Sequence, residues 1–184
     1  MTLLTPRIEE LSLNLERVRS GEGIGAEVVR WLRAVSGDVA SLPKPQTHDV
    51  HRGYYRTLLY RCEGFELLAL HWEPGTITSI HDHGGSRCWL AVANGSIGVE
   101  NYVRRDTGAT PGYARIDLEG RETLPAGGID FRQDDVHLHR CFTGSEHAVS
   151  LHLYANPIGR FHTFDERAQT CRDAESTYDA TLTV

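Results

Sequence analysis

The chain has 184 residues, 40% of them apolar and 24% charged, with 18 glycines and a net charge of −6. That length suffices for one domain with a sizeable core, and the charge argues against nonspecific nucleic-acid binding, which needs a basic face. No apolar run approaches the ~20 residues of a membrane span, and the start, MTLLTPRIEELSL, lacks the basic head and apolar core of a signal peptide. Cys62, Cys88, Cys141 and Cys171 lack C-x-x-C spacing. A zinc ribbon or dithiol motif is therefore not expected, and reduced thiols in a cytoplasmic protein are.

Residues 7 to about 36 are expected to be helical. Ile8, Leu11, Leu15 and Val18 recur at helical spacing, and Val28, Trp31, Leu32 and Val35 form a second such stripe after the Ser20–Gly23 break. Ser36-Gly37-Asp38 is expected to end the second helix, and Pro43 to Pro45 reads as a linker. From Tyr54 the pattern becomes β: YYRTLLYR, a turn at Glu63-Gly64, then FELLALHWEPG.

The stretch from Gly75 to Gly95, GTITSIHDHGGSRCWLAVANG, holds His81 and His83 one residue apart. Residues two apart on a strand share a face, so this pair can aim two imidazoles at one point. Neutral imidazoles suit Fe, Zn, Cu and Ni. Asp82 between them should point away. Gly84-Gly85 marks a turn and Asn94-Gly95 reads as a hairpin turn.

Then come SIGVENYVR, a turn at Thr107 to Gly112, and YARIDLEG, in which Ala114, Ile116 and Leu118 alternate with polar residues as a half-buried strand does. Thr123 to Gly128 is expected to be another turn, and Glu100 and Tyr102 to be solvated. DDVHLHR places His137 and His139 on one strand face, and either could complete a metal site. VSLHLY lines Ser150, His152 and Tyr154 on one face against Leu151 and Leu153 on the other. That suits a barrel strand whose inner face lines a site. STYDATLTV reads as a closing strand.

Three motifs carry a family resemblance. Gly75, His81, His83 and Gly95 fit the first cupin motif, with Cys88 where many cupins carry a glutamate ligand. HDHxxSxC (His81, Asp82, His83, Ser86 and Cys88) resembles the cysteine dioxygenase type I family, the thiol-oxidising branch of the cupins. DDVHLHR resembles the second cupin motif, without its usual proline and glycine. VSLHLY and the segment His162, Phe164, Asp165, Arg167 follow in the family's order.

The resemblance implies a mainly β fold, a jelly-roll-like cupin barrel with the N-terminal helices packed outside. The domain would span residues 1–184, with a helical segment over 1–45 and the barrel over 46–184. It also implies Fe(II) held by His81, His83 and His139, and O2 and L-cysteine as substrates. Tyr54 and Arg56 match the family's Y-x-R, whose arginine binds the substrate carboxylate; a guanidinium offers a carboxylate two parallel donors. Tyr154 would reach substrate and oxygen, oriented by His152 and Ser150, and Cys88 could join Tyr154 in a thioether. His162 is assigned no ligand role. The alternatives are another small thiol such as 3-mercaptopropionate, a hydrolytic zinc site, or a non-catalytic metal-binding cupin. The oligomeric state is left open.

Overall fold

The computed structural model describes residue 11, residues 25–45, 52–133 and 137–182. Of the first expected helix only Leu11 falls among them, and it is buried; Ile8, Leu15 and Val18 lie outside the described residues, as do residues 134–136 of DDVHLHR. The second helix, α1 (Ala26–Ala40), buries Val28, Trp31, Leu32, Val35 and Val39 on one face. It does not stop at Ser36-Gly37-Asp38. Ser36 Oγ donates to the Leu32 carbonyl at 2.7 Å, Gly37 faces open space, and burial of Val39 favours one more turn.

The rest is strand: β1 (Tyr54–Arg61), β2 (Glu66–Trp72), β3 (Ile80–His81), β4 (Arg87–Asn94), β5 (Ser96–Arg104), β6 (Ile116–Pro125), β7 (Ile129–Arg132), β8 (His137–Phe142), β9 (Ala148–Ala155), β10 (Arg160–Asp165), β11 (Thr170–Glu175) and β12 (Ala180–Thr181). They form two six-stranded sheets, ordered β12-β1-β2-β9-β4-β7 and β11-β10-β3-β8-β5-β6. β12, all that forms of the closing strand among the described residues, pairs parallel with β1.

Period-two alternation sorts the core into three layers. Leu68, Leu70, Trp72, Leu90 and Val92 of the first sheet meet Ile97, Val99 and Leu124 of the second. Leu67, Ala69, Trp89, Leu151 and Leu153 face the other way and pack under α1. On the outside of the second sheet, Ile80, Tyr102, Leu138 and Phe164 are closed over by Ala114 and Ile116.

Three local expectations give way to tertiary pairing. Asn94-Gly95 does not close a hairpin, because β4 pairs with β7 and β9 while β5 pairs with β6 and β8. The turn instead carries the chain from one sheet to the other. Gly95 has φ 72°, and a Cβ there would stand 2.5 Å from the His147 carbonyl oxygen, so a glycine is needed for that crossing. The strand expected from Tyr113 begins at Ile116 and runs into the start of the expected turn, to Pro125, since β5 pairs with it along its length, and the turn itself falls at Ala126-Gly127. A register shift near Asn101 breaks the alternation, leaving Leu118 48% exposed. Glu100 and Tyr102 are buried rather than solvated. The Tyr102 hydroxyl donates to Glu100 at 2.9 Å, and Arg121 and Arg140 close on the same carboxylate, which offsets the cost of burying a charge.

Candidate metal centre and substrate pocket

Three histidines converge between the sheets. His81 ends β3 and lies directly across from His139 on β8. His83 does not share a strand with His81, as the H-x-H spacing suggests, but follows it in a turn. Gly84 and Gly85 make that turn with φ 57° and 78°, and a Cβ on Gly84 would meet the Arg160 carbonyl oxygen at 2.1 Å. Asp82 fixes the turn from outside. Its carboxylate accepts from the Gly84 N–H at 3.2 Å and from the backbone N–H and ring Nδ1 of His162, each at 2.8 Å. The three imidazoles have centroids 4.7 to 5.2 Å apart, and one nitrogen from each lies within 4.8 Å of the others. His137, at the start of β8, is exposed.

The donor set fits a metal ion. His81 Nδ1 donates to the Ser79 carbonyl at 2.9 Å and His139 Nδ1 to Asp130 at 2.9 Å, which leaves Nε2 of each as a lone-pair donor. Among the described residues, neither ring nitrogen of buried His83 has a hydrogen-bond partner. An orphaned buried imidazole is costly, and a metal would resolve it. Burial, reinforced by the nearby His139, lowers the pKa of His81 to about 3 and drives that of His83 well below 6.5. His81 and His83 are therefore neutral, as ligands must be.

The cluster opens on a cavity of about 120 Å³. One wall is a hydrogen-bonded chain. Trp72 Nε1 donates to Ser150 Oγ at 2.8 Å, Ser150 Oγ lies 2.8 Å from His152 Nε2, and His152 Nδ1 lies 3.2 Å from the Tyr154 hydroxyl. Indole N–H only donates, so the Ser150 hydrogen is satisfied only if it points at His152 Nε2. Neutral His152 then carries its proton on Nδ1 and donates to the Tyr154 oxygen, and the Tyr154 O–H is left to donate into the cavity. Burial keeps both states in place, lowering His152 and raising Tyr154.

Arg56, 8% exposed, continues this wall on β1, in register with Leu70 and through it with Ser150, and its Nη2 donates to Ser176 Oγ at 3.0 Å. Tyr54 stacks on Trp72 at 5.1 Å between ring centroids. Cys88 and Tyr154 are register partners on β4 and β9, both buried.

A profile of the cysteine dioxygenase type I family matches residues 10–167. The chain belongs to the cysteine dioxygenase type I family. Cysteine dioxygenase type 1 of Homo sapiens is 30% identical over 170 residues, which is 90% of this chain and 82% of the human protein. The Bos taurus protein is 31% identical over the same shares. Among solved structures, the cupin domain of Schizosaccharomyces pombe Cnp3 aligns with a TM-score of 0.46 at 12% identity, over 65% of this chain and 72% of that one. KdgF from Halomonas sp. aligns with a TM-score of 0.47 at 14% identity, over 60% and 84%. The fold of this cysteine dioxygenase type I family member is a mainly β cupin, and no described helix is long and apolar enough to cross a membrane.

In this family member the nine residues to which the resemblance gave site roles sit at or beside one cavity, and the competing candidate His137 is not among its lining residues. His81, His83, His139, Tyr54, Arg56, His152 and Tyr154 line it, while Ser150 and Cys88 stand directly behind the lining through His152 and Tyr154. Trp72, Asp130 and Ser176 were missed. A tryptophan on an inward strand face needs an acceptor for its N–H, and that signal could have led from Trp72 to Ser150. Asp130 and Ser176 reach their partners only through long-range pairing.

Proposed function

We propose that this protein adds both atoms of O2 to the sulfur of L-cysteine, giving cysteine sulfinic acid, with Fe(II) held by His81, His83 and His139. Family membership makes it a thiol dioxygenase, and the imidazole cluster makes a metal its cofactor; cysteine and iron are the finer steps. The observation that supports a thiol acid such as cysteine is the buried guanidinium of Arg56 across the cavity from the three histidines, because it matches a substrate with a thiol at one end and a carboxylate at the other. Iron bound there would deprotonate the thiol and activate O2. The reaction balances as thiol plus O2 giving sulfinic acid, with no outside reductant.

The residues of the chain do the positioning. Arg56 receives the carboxylate, with Tyr54 packed beside it on the same wall. Tyr154 donates its O–H toward the reacting atoms, held in that orientation by His152, Ser150 and Trp72. Holding the reactants at reacting distance removes much of the barrier, and the apolar lining of Leu70, Ile158 and Phe161 keeps water from the oxidised sulfur. Cys88 is placed to form a thioether with Tyr154. Cys62, Cys88, Cys141 and Cys171 are all free, which suits a cytoplasmic setting.

One observation favours a second thiol. Among the described residues lining the cavity, Asp82 is the one acidic residue, and its carboxylate is engaged with Gly84 and His162. No described carboxylate is therefore reserved for a substrate ammonium, and 3-mercaptopropionate would keep the Arg56 contact. Oxygen uptake by iron-loaded protein with each thiol decides. Faster uptake with L-cysteine and sulfinate as product is expected; preference for 3-mercaptopropionate moves the substrate, and no thiol-dependent uptake overturns the enzyme reading.

A further inference from the structure

Arg56 does not reach the cavity unaided. The chain after β11 runs back along β1 as a strap, and the two segments clasp each other at Arg56. The Arg56 backbone N–H donates to Asp179 Oδ2 at 2.8 Å, and the Asp179 N–H donates to the Arg56 carbonyl at 2.8 Å. Asp179 Oδ1 accepts in turn from Arg52 at 2.6 Å. Ser176 leads this strap. Its N–H is fixed on the Gly159 carbonyl at 2.9 Å, and its hydroxyl accepts from Arg56 Nη2 at 3.0 Å on the cavity wall.

A guanidinium is planar, with five N–H donors in a fixed fork. Anchoring one Nη on a serine oxygen fixes the plane and decides which edge of the fork faces a ligand. Having accepted from Arg56, the Ser176 hydroxyl retains its own hydrogen, and no described residue accepts it. A hydroxyl rotor can turn that hydrogen toward the guanidinium edge, where a carboxylate held by Arg56 would stand.

We infer that Ser176 is a specificity-determining residue, which orients Arg56 and donates its own O–H to the carboxylate of a small thiol acid. The inference rests on the functional reading above. A ligand without a carboxylate gains nothing from either contact, so Ser176 raises the preference for thiol acids over aminothiols.

The test compares wild type, Ser176→Ala and Ser176→Thr, all iron-loaded. Oxygen uptake gives KM and kcat for L-cysteine, and calorimetry without oxygen gives the affinity for L-cysteine and for 2-aminoethanethiol, which keeps thiol and amine but has no carboxylate. For Ser176→Ala the KM and Kd for L-cysteine are expected to rise about tenfold, the size of one hydrogen bond to a charged group. The loss should fall on KM rather than kcat, with 2-aminoethanethiol affinity unchanged and Ser176→Thr close to wild type. Equal weakening toward both ligands, or an unchanged KM for L-cysteine, overturns the inference alone. Wild type that holds iron yet consumes no oxygen with L-cysteine overturns the functional reading and the inference with it.

Discussion

His139 donates from Nδ1 to the carboxylate of Asp130 at 2.9 Å, and both side chains are almost wholly removed from solvent. Arg132 grips the same carboxylate from the other side at 2.7 and 3.0 Å and reaches on to Asn101. Burial alone would raise the Asp130 carboxyl, but the hydrogen bond from His139 and the charge of Arg132 outweigh it and hold the pKa at about 2. Among the described residues the other two imidazoles have no charged partner: His81 rests on a backbone carbonyl, and His83 has no hydrogen-bond partner. Of the three, His139 is the ring whose orientation and basicity a charged partner sets.

Asp130→Asn keeps the shape and removes the charge. It is expected to weaken iron binding by about 10- to 100-fold, read by competition against a chelator of known affinity, with Arg132 left buried opposite an amide. Unaltered affinity would mean that the carboxylate braces the strand and not the imidazole.

The turn that carries His83 supports a contrast between two glycines. Gly75 and Gly84 both have positive φ, at 72° and 57°, but only at Gly84 does a Cβ collide with backbone, the Arg160 carbonyl oxygen. Gly75→Ala should cost about 1 kcal/mol of stability from backbone strain alone and leave iron content intact. Gly84→Ala carries the same strain and in addition must move the turn off β10, so purified protein should retain little iron. Equal iron in the two variants would show that His83 tolerates displacement.

Much of the scaffold was legible because its signals are local. The strands YYRTLLYR and SIGVENYVR form with the limits read from their apolar runs, and the two faces of β9 follow from period-two alternation alone. Nonlocal pairing was not legible. A turn signal such as Asn94-Gly95 says that the chain reverses, but not that the next strand joins the other sheet. The H-x-H spacing fixed the identity of two imidazoles, although His83 reaches the cluster through a glycine turn and not a shared strand face. Asp130 gave no signal within GGIDFR, since its importance lies in facing His139 across sheets. Glu100 was misjudged for the same reason, as its partners Arg121 and Arg140 arrive from β6 and β8.

Register makes the thioether testable. Cys88 and Tyr154 are direct cross-strand partners, a placement that puts Cβ atoms about 5 Å apart. Joining Cys88 Sγ to the Tyr154 ring removes one hydrogen from each, with O2 as oxidant. After turnover with cysteine, the intact mass is expected to fall short of the sequence mass by two hydrogens, and Cys88→Ala and Tyr154→Phe should each abolish the deficit. A deficit that survives Tyr154→Phe would place the oxidation elsewhere, with Cys141, also buried on the cavity wall, as the first thiol to check.

The last prediction concerns pH. Burial drives the pKa of His152 well below 6.5, and the charge of Arg56 acts in the same direction. The folded protein therefore refuses a proton that the unfolded chain accepts below about pH 6.5. A lowered histidine pKa means that the unfolded state binds more protons in this window, so stability rises with pH there. The contribution is fully present above about pH 6.5 and declines as the pH falls below it. The melting temperature of metal-free protein is thus expected to drop between about pH 7 and about pH 5. His152→Gln cannot titrate, yet still offers an acceptor to Ser150 and a donor to Tyr154. It should melt lower at neutral pH and show a shallower fall over the same range. Parallel curves would assign the acid sensitivity to other groups and leave the neutral state of His152, and with it the direction of the Tyr154 hydroxyl, without this support.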